Sequence, residues 1–240
     1  MKKGSLWTNY HLAFRKNTDG GASGSPFDAY DFSNEWGRAP FDTRHSFYGG
    51  GNYQGPLGLT FNTFIVGNSG QRFNITTGQD TNVDTFFSER PAFATELNKP
   101  GVIITRFGAL DPNPVPGQQI IPRNLGKGPG FLSVNVGIEK SIKFGPAIPT
   151  NSPPVVAPGT LAGASSPNPP PKQPIQRPYR VGLLLYASNL LNRNNRGNPV
   201  GNMASPRFLQ STGPSSTFFF GPGGAASGNR QLTLMVRFSF

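Results

Sequence analysis

The segment from Gln231 to Phe240, QLTLMVRFSF, carries the clearest structural signal in the chain. Its apolar side chains occupy every second position: Leu232, Leu234, Val236, Phe238 and Phe240 alternate with Gln231, Thr233, Met235, Arg237 and Ser239. A period of two is that of a β-strand, because successive side chains point to opposite faces of a sheet. The segment therefore predicts a strand with one apolar face.

Five segments further upstream share this period. They are Ser5 to Lys16, Thr43 to Gln54, Leu57 to Ile65, Leu132 to Phe144 (interrupted at Lys140) and Arg180 to Ser188. No stretch shows the period of 3.6 that indicates a helix. We therefore predict an all-β fold, an antiparallel meander of about six long strands.

Two finer expectations follow from the same segments. Leu132, Val134, Val136 and Ile138 are expected to share one sheet face with the apolar residues of the last strand. The three consecutive glycines from Gly49 predict the close approach of another backbone, or a bend, because glycine within a strand marks such places.

Strand length indicates the environment of the sheet. The predicted strands have about 10 to 14 residues, whereas strands of soluble proteins average about 5 to 6. Ten residues at about 3.3 Å each, tilted by about 45°, cross the apolar band of an outer-membrane barrel. We therefore expect an open partial transmembrane β-barrel with long loops.

The connections alternate in length, as they do in such barrels. The segments Lys16 to Asp42, Asn68 to Gly130 and Arg193 to Arg230 are predicted to be extracellular loops at one end of the sheet. Gln54 to Pro56 is predicted to be a tight turn at the opposite, periplasmic end. The Pro-rich insert at 145–179 is expected to be flexible and without regular structure, since proline removes backbone donors.

The amino-acid composition argues against several classes of protein. The chain has 240 residues, with 31 Gly and 25 Pro, but its 20 Phe argue against disorder. Only 14% of residues are charged, too few for the mixed-charge surface of a typical soluble domain. There is no Cys, which excludes disulfides and Cys-ligated zinc.

The net charge of +11 suggests an anionic neighbour, either nucleic acid or lipid head groups. Lys and Arg are spread singly along the chain, and no nucleic-acid-binding motif occurs. The expected partners are therefore lipid and lipopolysaccharide, and nucleic acid is not expected as a partner. No apolar run approaches the length of a transmembrane helix. Lys2 and Lys3 are followed by polar residues instead of an apolar segment, so we expect no export signal in this chain.

Six short motifs together resemble one protein family. They are Phe41 to His45 (FDTRH), Ser69 to Ile75 (SGQRFNI), Gly126 to Phe131 (GKGPGF), Asn189 to Arg193 (NLLNR), Gly197 to Asn202 (GNPVGN) and Arg237 to Phe240 (RFSF). In this order they resemble the C-terminal barrel region of Oar-like TonB-dependent outer-membrane receptors, which often carry a carboxypeptidase-regulatory-like domain.

The resemblance implies a function. The family has an N-terminal plug inside a 22-stranded barrel and imports a ligand across the outer membrane. Residues 1–240 would then be a C-terminal fragment of such a barrel, whose partners are the missing plug and strands and the barrel assembly machinery, which reads the strand ending at Phe240. The alternative is an outer-membrane structural or adhesive β-protein without transport. The resemblance names no ligand.

One acidic segment imitates a calcium loop. Asp80, Asn82 and Asp84, followed by Glu89, match the start of the D-x-N-x-D pattern that converges on a hard cation. However, Thr85 replaces the glycine of the sharp turn, and Pro91 stands where the bidentate carboxylate belongs. The favoured interpretation is a solvated loop, with calcium as the alternative, and we therefore expect no metal site and no cofactor.

Catalysis is not expected. His11 and His45 are the only histidines, and although His45 lies near Asp42 in sequence, nothing identifies a serine partner. The glycines from Gly126 to Gly130 lack the GK[ST] ending of a phosphate loop. Phe218 to Phe220, in the last loop, contact either a ligand or the loop itself, and the sequence does not distinguish the two.

Overall fold

The fold is taken from a computed structural model that describes residues 3–18, 26, 31–40, 42–146, 148–149, 175–215 and 228–240. Within these ranges the regular structure is β apart from one 3-10 turn, which confirms the all-β prediction. The six long strands are β1 (Gly4–Leu12), β2 (His45–Gln54), β3 (Leu59–Asn68), β4 (Phe131–Phe144), β5 (Tyr179–Ser188) and β6 (Gln231–Ser239). No helix in these ranges is long and apolar enough to cross a membrane.

The six strands form one antiparallel sheet in sequence order, from β1 to β6. This confirms the predicted meander. The sheet is open, since β1 and β6 are its two edges and do not pair with each other. Isolated parallel bridges, Thr76 with Asn202 and Val200 with Phe208, occur in the loops and lie outside this sheet.

The strand register determines which side chains share a face. Ile138 is opposite Leu185, and Leu185 is opposite Leu234, so β4, β5 and β6 present their apolar residues on the same side. Val134 is opposite Ile65 of β3 on that side as well. The predicted common face is therefore confirmed, and we call it the apolar face; the other side is the polar face.

The connections also segregate as predicted. The three long loops leave from one end of the sheet, which we call the loop end, and the β2–β3 and β4–β5 connections lie at the other, the turn end. The predicted turn at Gln54 to Pro56 is too short, because the turn includes Leu57 and Gly58. Leu57 has φ 58° within the 3-10 turn Pro56–Gly58, so it belongs to the turn and not to β3.

The glycine run in β2 confirms the predicted close approach of neighbouring backbone. A Cβ atom on Gly51 would lie 2.6 Å from the carbonyl oxygen of Ser5, and one on Gly50 would lie 3.0 Å from that of Thr63. Trp7 also packs over Gly50, and its ring centroid lies 6.0 Å from that of Phe64. Glycine at these positions lets β1 and a large aromatic ring lie close to β2.

The hydrophobic core lies in the loops instead of under the sheet. The segment between β3 and β4 contains paired short strands, Arg72–Phe73 with Gly126–Lys127, and a three-stranded sheet of Ala92–Phe93, Gly108–Asp111 and Ile103–Thr105. The buried hydrophobic cluster consists of Phe73, Ile75, Leu110 and Ile121 from this segment and Met203 from the last long loop. Residues 69–130 and 195–215 thus pack together, and we call them the loop module.

The prediction that the Pro-rich insert lacks regular structure is wrong for the two ends of the insert. The two-residue strands Ile148–Pro149 and Ile175–Gln176 pair antiparallel, so the segment from Gly145 to Tyr179 is not entirely without regular structure. Proline at position 149 is compatible with so short a ladder because one missing donor leaves the rest of the pairing intact. The prediction for residues 150–174 lies outside the described residues.

Candidate functional site

The apolar face of the six-stranded sheet carries exposed large side chains on β1, β2, β4, β5 and β6, and partly exposed ones on β3. Leu6 of β1 is 79% exposed and Leu234 of β6 is 69% exposed, although both are large aliphatic side chains. The other exposed apolar residues of this face are Tyr10, Leu12, Phe47, Tyr53, Ile138, Ile142, Phe144, Tyr179, Leu183, Leu185, Leu232, Val236 and Phe238. A wide, exposed apolar surface of this kind marks contact with a membrane or another protein.

Aromatic rings gather on this face near the turn end. The ring centroid of Phe144 lies 5.5 Å from that of Tyr179 and 6.2 Å from that of Phe238, and Tyr53 lies 6.4 Å from Phe61. These five residues form what we call the aromatic belt. Aromatic girdles at the level of the head groups are a feature of outer-membrane barrels. The belt was not predicted from the sequence, although each of these five strands has an aromatic residue near its turn end, and that pattern could have indicated it.

Charge is distributed unequally between the two faces. Among the residues of the six strands, Lys140 is the one Asp, Glu, Lys or Arg on the apolar face, and it lies near the turn end. The polar face carries Glu139, Lys143, Arg180 and Arg237, and the Arg180 guanidinium lies 3.8 Å from the Glu139 carboxylate. A long lysine stem near the edge of an apolar band can extend its ammonium group to the polar zone.

The loop end of β4 extends beyond β5, and asparagine side chains replace the missing strand there. Leu132 donates its N–H to Oδ1 of Asn195 (2.9 Å) and accepts from Nδ2 of Asn195 (3.0 Å). Leu190 donates its N–H to the carbonyl of Val134, and Asn189 donates its N–H to Oδ1 of Asn135. Asn189 and Leu190 of the NLLNR motif, together with Asn195 beyond it, therefore satisfy the edge of β4 that β5 does not reach, a role that was not predicted from the sequence.

A buried ion-pair network links the first loop to the loop module. Nη2 of Arg90 lies 2.9 Å from Oε1 of Glu35 and donates to the carbonyl of Asn34, while Nε of Arg123 lies 3.9 Å from Oε2 of Glu35. Burial lowers the pKa of Arg90, Glu35 opposes that shift, and Arg123 reinforces it. Sequence reasoning missed this network because Glu35 and Arg90 are 55 residues apart, and Arg123 is further still from Glu35.

A second buried carboxylate lies within the loop module. Asp111 accepts from Nζ of Lys99 (2.6 Å), Nε2 of Gln118 (3.1 Å) and the N–H of Asn113 (3.0 Å). Burial raises the pKa of Asp111, but these hydrogen bonds and the charge of Lys99 outweigh it, so the pKa lies below its ordinary value. Asp111 therefore remains ionised and holds the strand Gly108–Asp111 against the turn at Lys99.

The acidic segment that imitates a calcium loop is partly brought together. One carboxylate oxygen from each of Asp80, Asp84 and Glu89 lies within 4.8 Å of the other two. Asp80 accepts from the N–H groups of Asp84 and Thr85, and Oδ1 of Asn82 also accepts from the Asp84 N–H. Glu89, the acid that follows the aspartates in the sequence, thus converges with Asp80 and Asp84 in the structure.

The two histidines are placed in aromatic surroundings. Nδ1 of His45 lies 2.7 Å from the hydroxyl of Tyr10, and the His11 ring lies edge-on to Tyr48. Asp42 is buried, lies 3.7 Å from Nη1 of Arg38 and accepts from the N–H of Arg15. Asp42 and His45, which are close in sequence, therefore have different hydrogen-bond partners.

A polar cleft of about 260 Å³ opens at the loop end, over the junction of β3 and β4. The residues that line it include Asn68, Gln71, Asn198 and Arg196, and Arg196 is the one charged residue among the described residues of this lining. Amide and guanidinium donors suit a small polar or anionic ligand. Phe218 to Phe220, which the sequence analysis considered for ligand contact, lie outside the described residues.

The chain was compared with protein-family models, curated proteins and solved structures, and no match was found in any of the three.

Proposed function

We propose that this chain forms part of the wall of an outer-membrane β-barrel of the TonB-dependent receptor type, with the loop module at the extracellular end. The single observation that carries the proposal is the exposed apolar face, which continues through six long antiparallel strands. Such a face is stable in hydrocarbon, because exposing a large apolar surface to water is unfavourable.

The dimensions of the sheet support a membrane. Strands of nine to ten residues, such as β1 and β5, cover about 23 Å when tilted by about 45°, close to the apolar band of outer-membrane barrels. The aromatic belt lies near one edge of this band. The polar face would line the barrel interior, where Glu139 and Arg180 are solvated.

The open edges support membership of a larger barrel. The outer edges of β1 and β6 have no partner strand among the described residues. In hydrocarbon each unpaired backbone group costs several kcal/mol, so further strands must complete the wall. Uptake of a ligand, as distinct from a structural or adhesive role, rests on the resemblance of the six motifs to the Oar-like receptors. A plug domain encoded in frame upstream of Met1 would support uptake, and its absence would favour adhesion.

A matched pair of substitutions on β6 tests the membrane assignment. Leu234 and Thr233 are adjacent near the middle of the strand and belong to opposite faces. Leu234→Arg places a charge on the apolar face and is expected to cost about 2 to 4 kcal/mol in membrane insertion. Thr233→Arg places it on the polar face and is expected to have little effect.

The measurement is flotation of the full chain with phosphatidylethanolamine and phosphatidylglycerol vesicles after dilution from urea. We expect the unsubstituted chain and Thr233→Arg to float with lipid and Leu234→Arg to float at least tenfold less. Equal flotation of the two variants would contradict the proposal, as would a chain that remains monomeric in buffer without lipid or detergent.

A further inference from the structure

Glu89 has an unusual environment among the acidic residues of the chain. It is 2% exposed, and Oε1 accepts from the N–H of Thr81 at 2.9 Å. Oε2 is also buried but has no hydrogen-bond partner. A buried carboxylate oxygen without a partner is strongly unfavourable, so this oxygen is available to coordinate a cation.

The other buried acids of the described chain each have a basic partner. Glu35 is paired with Arg90, Asp42 with Arg38, and Asp111 with Lys99. No such ion pair reaches Glu89 within the described ranges, and none reaches Asp80 or Asp84. Three carboxylates thus converge with no side-chain cation between them.

The spacing of these oxygens matches one calcium ion. One carboxylate oxygen each from Asp80, Asp84 and Glu89 lie within 4.8 Å of one another. Calcium binds oxygen at about 2.3 to 2.6 Å, so two ligands on opposite sides of the ion are about 4.6 to 5.2 Å apart. A single ion can therefore contact all three carboxylates, and we propose that Asp80, Asp84 and Glu89 bind one Ca²⁺.

The structure resolves the two departures from the calcium-loop pattern. Thr85 adopts φ 70°, so the backbone makes the left-handed turn although glycine is absent. Pro91 supplies no ligand, but Glu89 folds back to the aspartates, as its hydrogen bond from the N–H of Thr81 shows. The third carboxylate therefore comes from two residues earlier than the pattern expects.

The donor set favours calcium over other metals. All three groups are carboxylates, which are hard oxygen ligands, and no His or Cys belongs to the cluster. Mg²⁺ requires near-octahedral geometry at about 2.0 to 2.1 Å and retains its waters, whereas Ca²⁺ accepts several carboxylates in flexible geometry. The ion would join the turn at 80–84 to Glu89, whose neighbour Arg90 is held by Glu35 and Asn34.

The test is calorimetric titration of Ca²⁺ into the full chain, refolded in zwitterionic detergent micelles and freed of metal with chelating resin. We expect one ion per chain, with a Kd of about 10⁻⁴ to 10⁻³ M or tighter, the range of extracellular calcium modules. Glu89→Gln keeps the size and the Oε1 acceptor but removes the charge, and should weaken binding at least tenfold. Mg²⁺ at equal concentration should not displace the ion.

Glu96→Gln is the matched control, because Glu96 is an exposed acid in the same loop. It should bind Ca²⁺ as the unsubstituted chain does, and Ca²⁺ should raise the Tm of both but not that of Glu89→Gln. If near-UV circular dichroism shows that Glu89→Gln does not fold, Asp84→Asn takes its place with the same expected loss. Absence of saturable binding by the unsubstituted chain, or unchanged affinity in the folded variant, overturns the proposal.

Discussion

Asparagine side chains complete the backbone pairing along the edge of β4 that β5 does not reach. Asn195 is fully buried and makes two hydrogen bonds to the main chain of Leu132, as a paired strand would. Asn189 is also buried, has φ 50° and donates from Nδ2 to the carbonyls of Arg193 and Gly228. Both residues thus connect the sheet to the last long loop.

Replacing Asn195 with alanine should destabilise this connection. Asn195→Ala removes both hydrogen bonds to the partly buried backbone of Leu132, each worth about 0.5 to 1.5 kcal/mol. Urea unfolding of the full chain in detergent micelles, followed by tryptophan fluorescence, measures the loss. The exposed Asn98→Ala should change the free energy of unfolding little, and an equal loss in both variants would contradict the argument.

Acid should weaken the loop module through Asp111. Because hydrogen bonds and Lys99 lower its folded pKa, its contribution to stability is complete above the unfolded pKa of about 3.9 and is lost as the pH falls through the folded value. Asp111→Asn should therefore lower the free energy of unfolding at pH 7 by about 1 to 3 kcal/mol.

The difference in free energy of unfolding between Asp111→Asn and the unsubstituted chain should shrink as the pH falls below about 3.9, because the unfolded chain then binds a proton at Asp111 before the folded chain does. Urea unfolding at several pH values in a zwitterionic detergent measures it, with Glu96→Gln as the control. A difference that stays constant down to pH 2 would show that packing, and not the charge of Asp111, stabilises this site.

At the scale of the element, β2 depends on glycine to accept its neighbours. A Cβ atom on Gly50 would lie 2.8 Å from Cζ2 of Trp7 and 3.0 Å from the carbonyl oxygen of Thr63. Gly67 of β3 is a contrasting case, because its nearest contact would be 3.6 Å, to Leu132. The two glycines differ in the space around them, although both lie in strands of the same sheet.

Gly50→Ala should therefore destabilise the sheet by about 1 to 3 kcal/mol, because the Trp7 ring must move and the Thr63 carbonyl oxygen of β3 leaves a Cβ atom little room. Gly67→Ala should be neutral or slightly stabilising, since alanine reduces the entropy of the unfolded chain. Thermal unfolding in detergent micelles, with Trp7 fluorescence as the local probe, compares the two. Equal Tm values for the two variants would refute the role assigned to Gly50.

At the scale of the whole molecule, the sheet has two free edges and one exposed apolar face. This combination is unfavourable in water, where the face is exposed, and in lipid, where the edges are. Six strands are also fewer than the eight of the smallest outer-membrane barrels. The chain by itself should therefore not form a closed barrel.

We expect the isolated chain to aggregate in detergent-free buffer and to produce no conductance across planar bilayers. In micelles, amide exchange should be slow in β3 and β4 and fast along the outer edges of β1 and β6, because only the inner strands are paired on both sides. Slow exchange at both edges, together with cross-linking of β1 to β6, would show a closed barrel and contradict this expectation.

The sequence by itself determined the strands and their faces. Alternation along Gln231–Ser239 and Phe131–Phe144 is a local property, because side chains on a strand change sides at every residue whatever the rest of the chain does. The number of long strands, the meander and the gathering of the long loops at one end followed from that alternation. The exact turn, which includes Leu57, did not, since short turns depend on backbone angles that hydrophobicity does not report.

Only the tertiary structure decided how the loops are organised. Leu132 and Asn195 are 63 residues apart, and Glu35 and Arg90 are 55 apart, and no periodic signal connects such pairs. The D-x-N-x-D pattern indicated Asp80 and Asp84, but the fold alone buries Glu89 beside them and leaves Oε2 without a partner. Burial and long-range contact depend on how the whole chain packs, and for that reason the loop module and its acidic cluster could be found only in three dimensions.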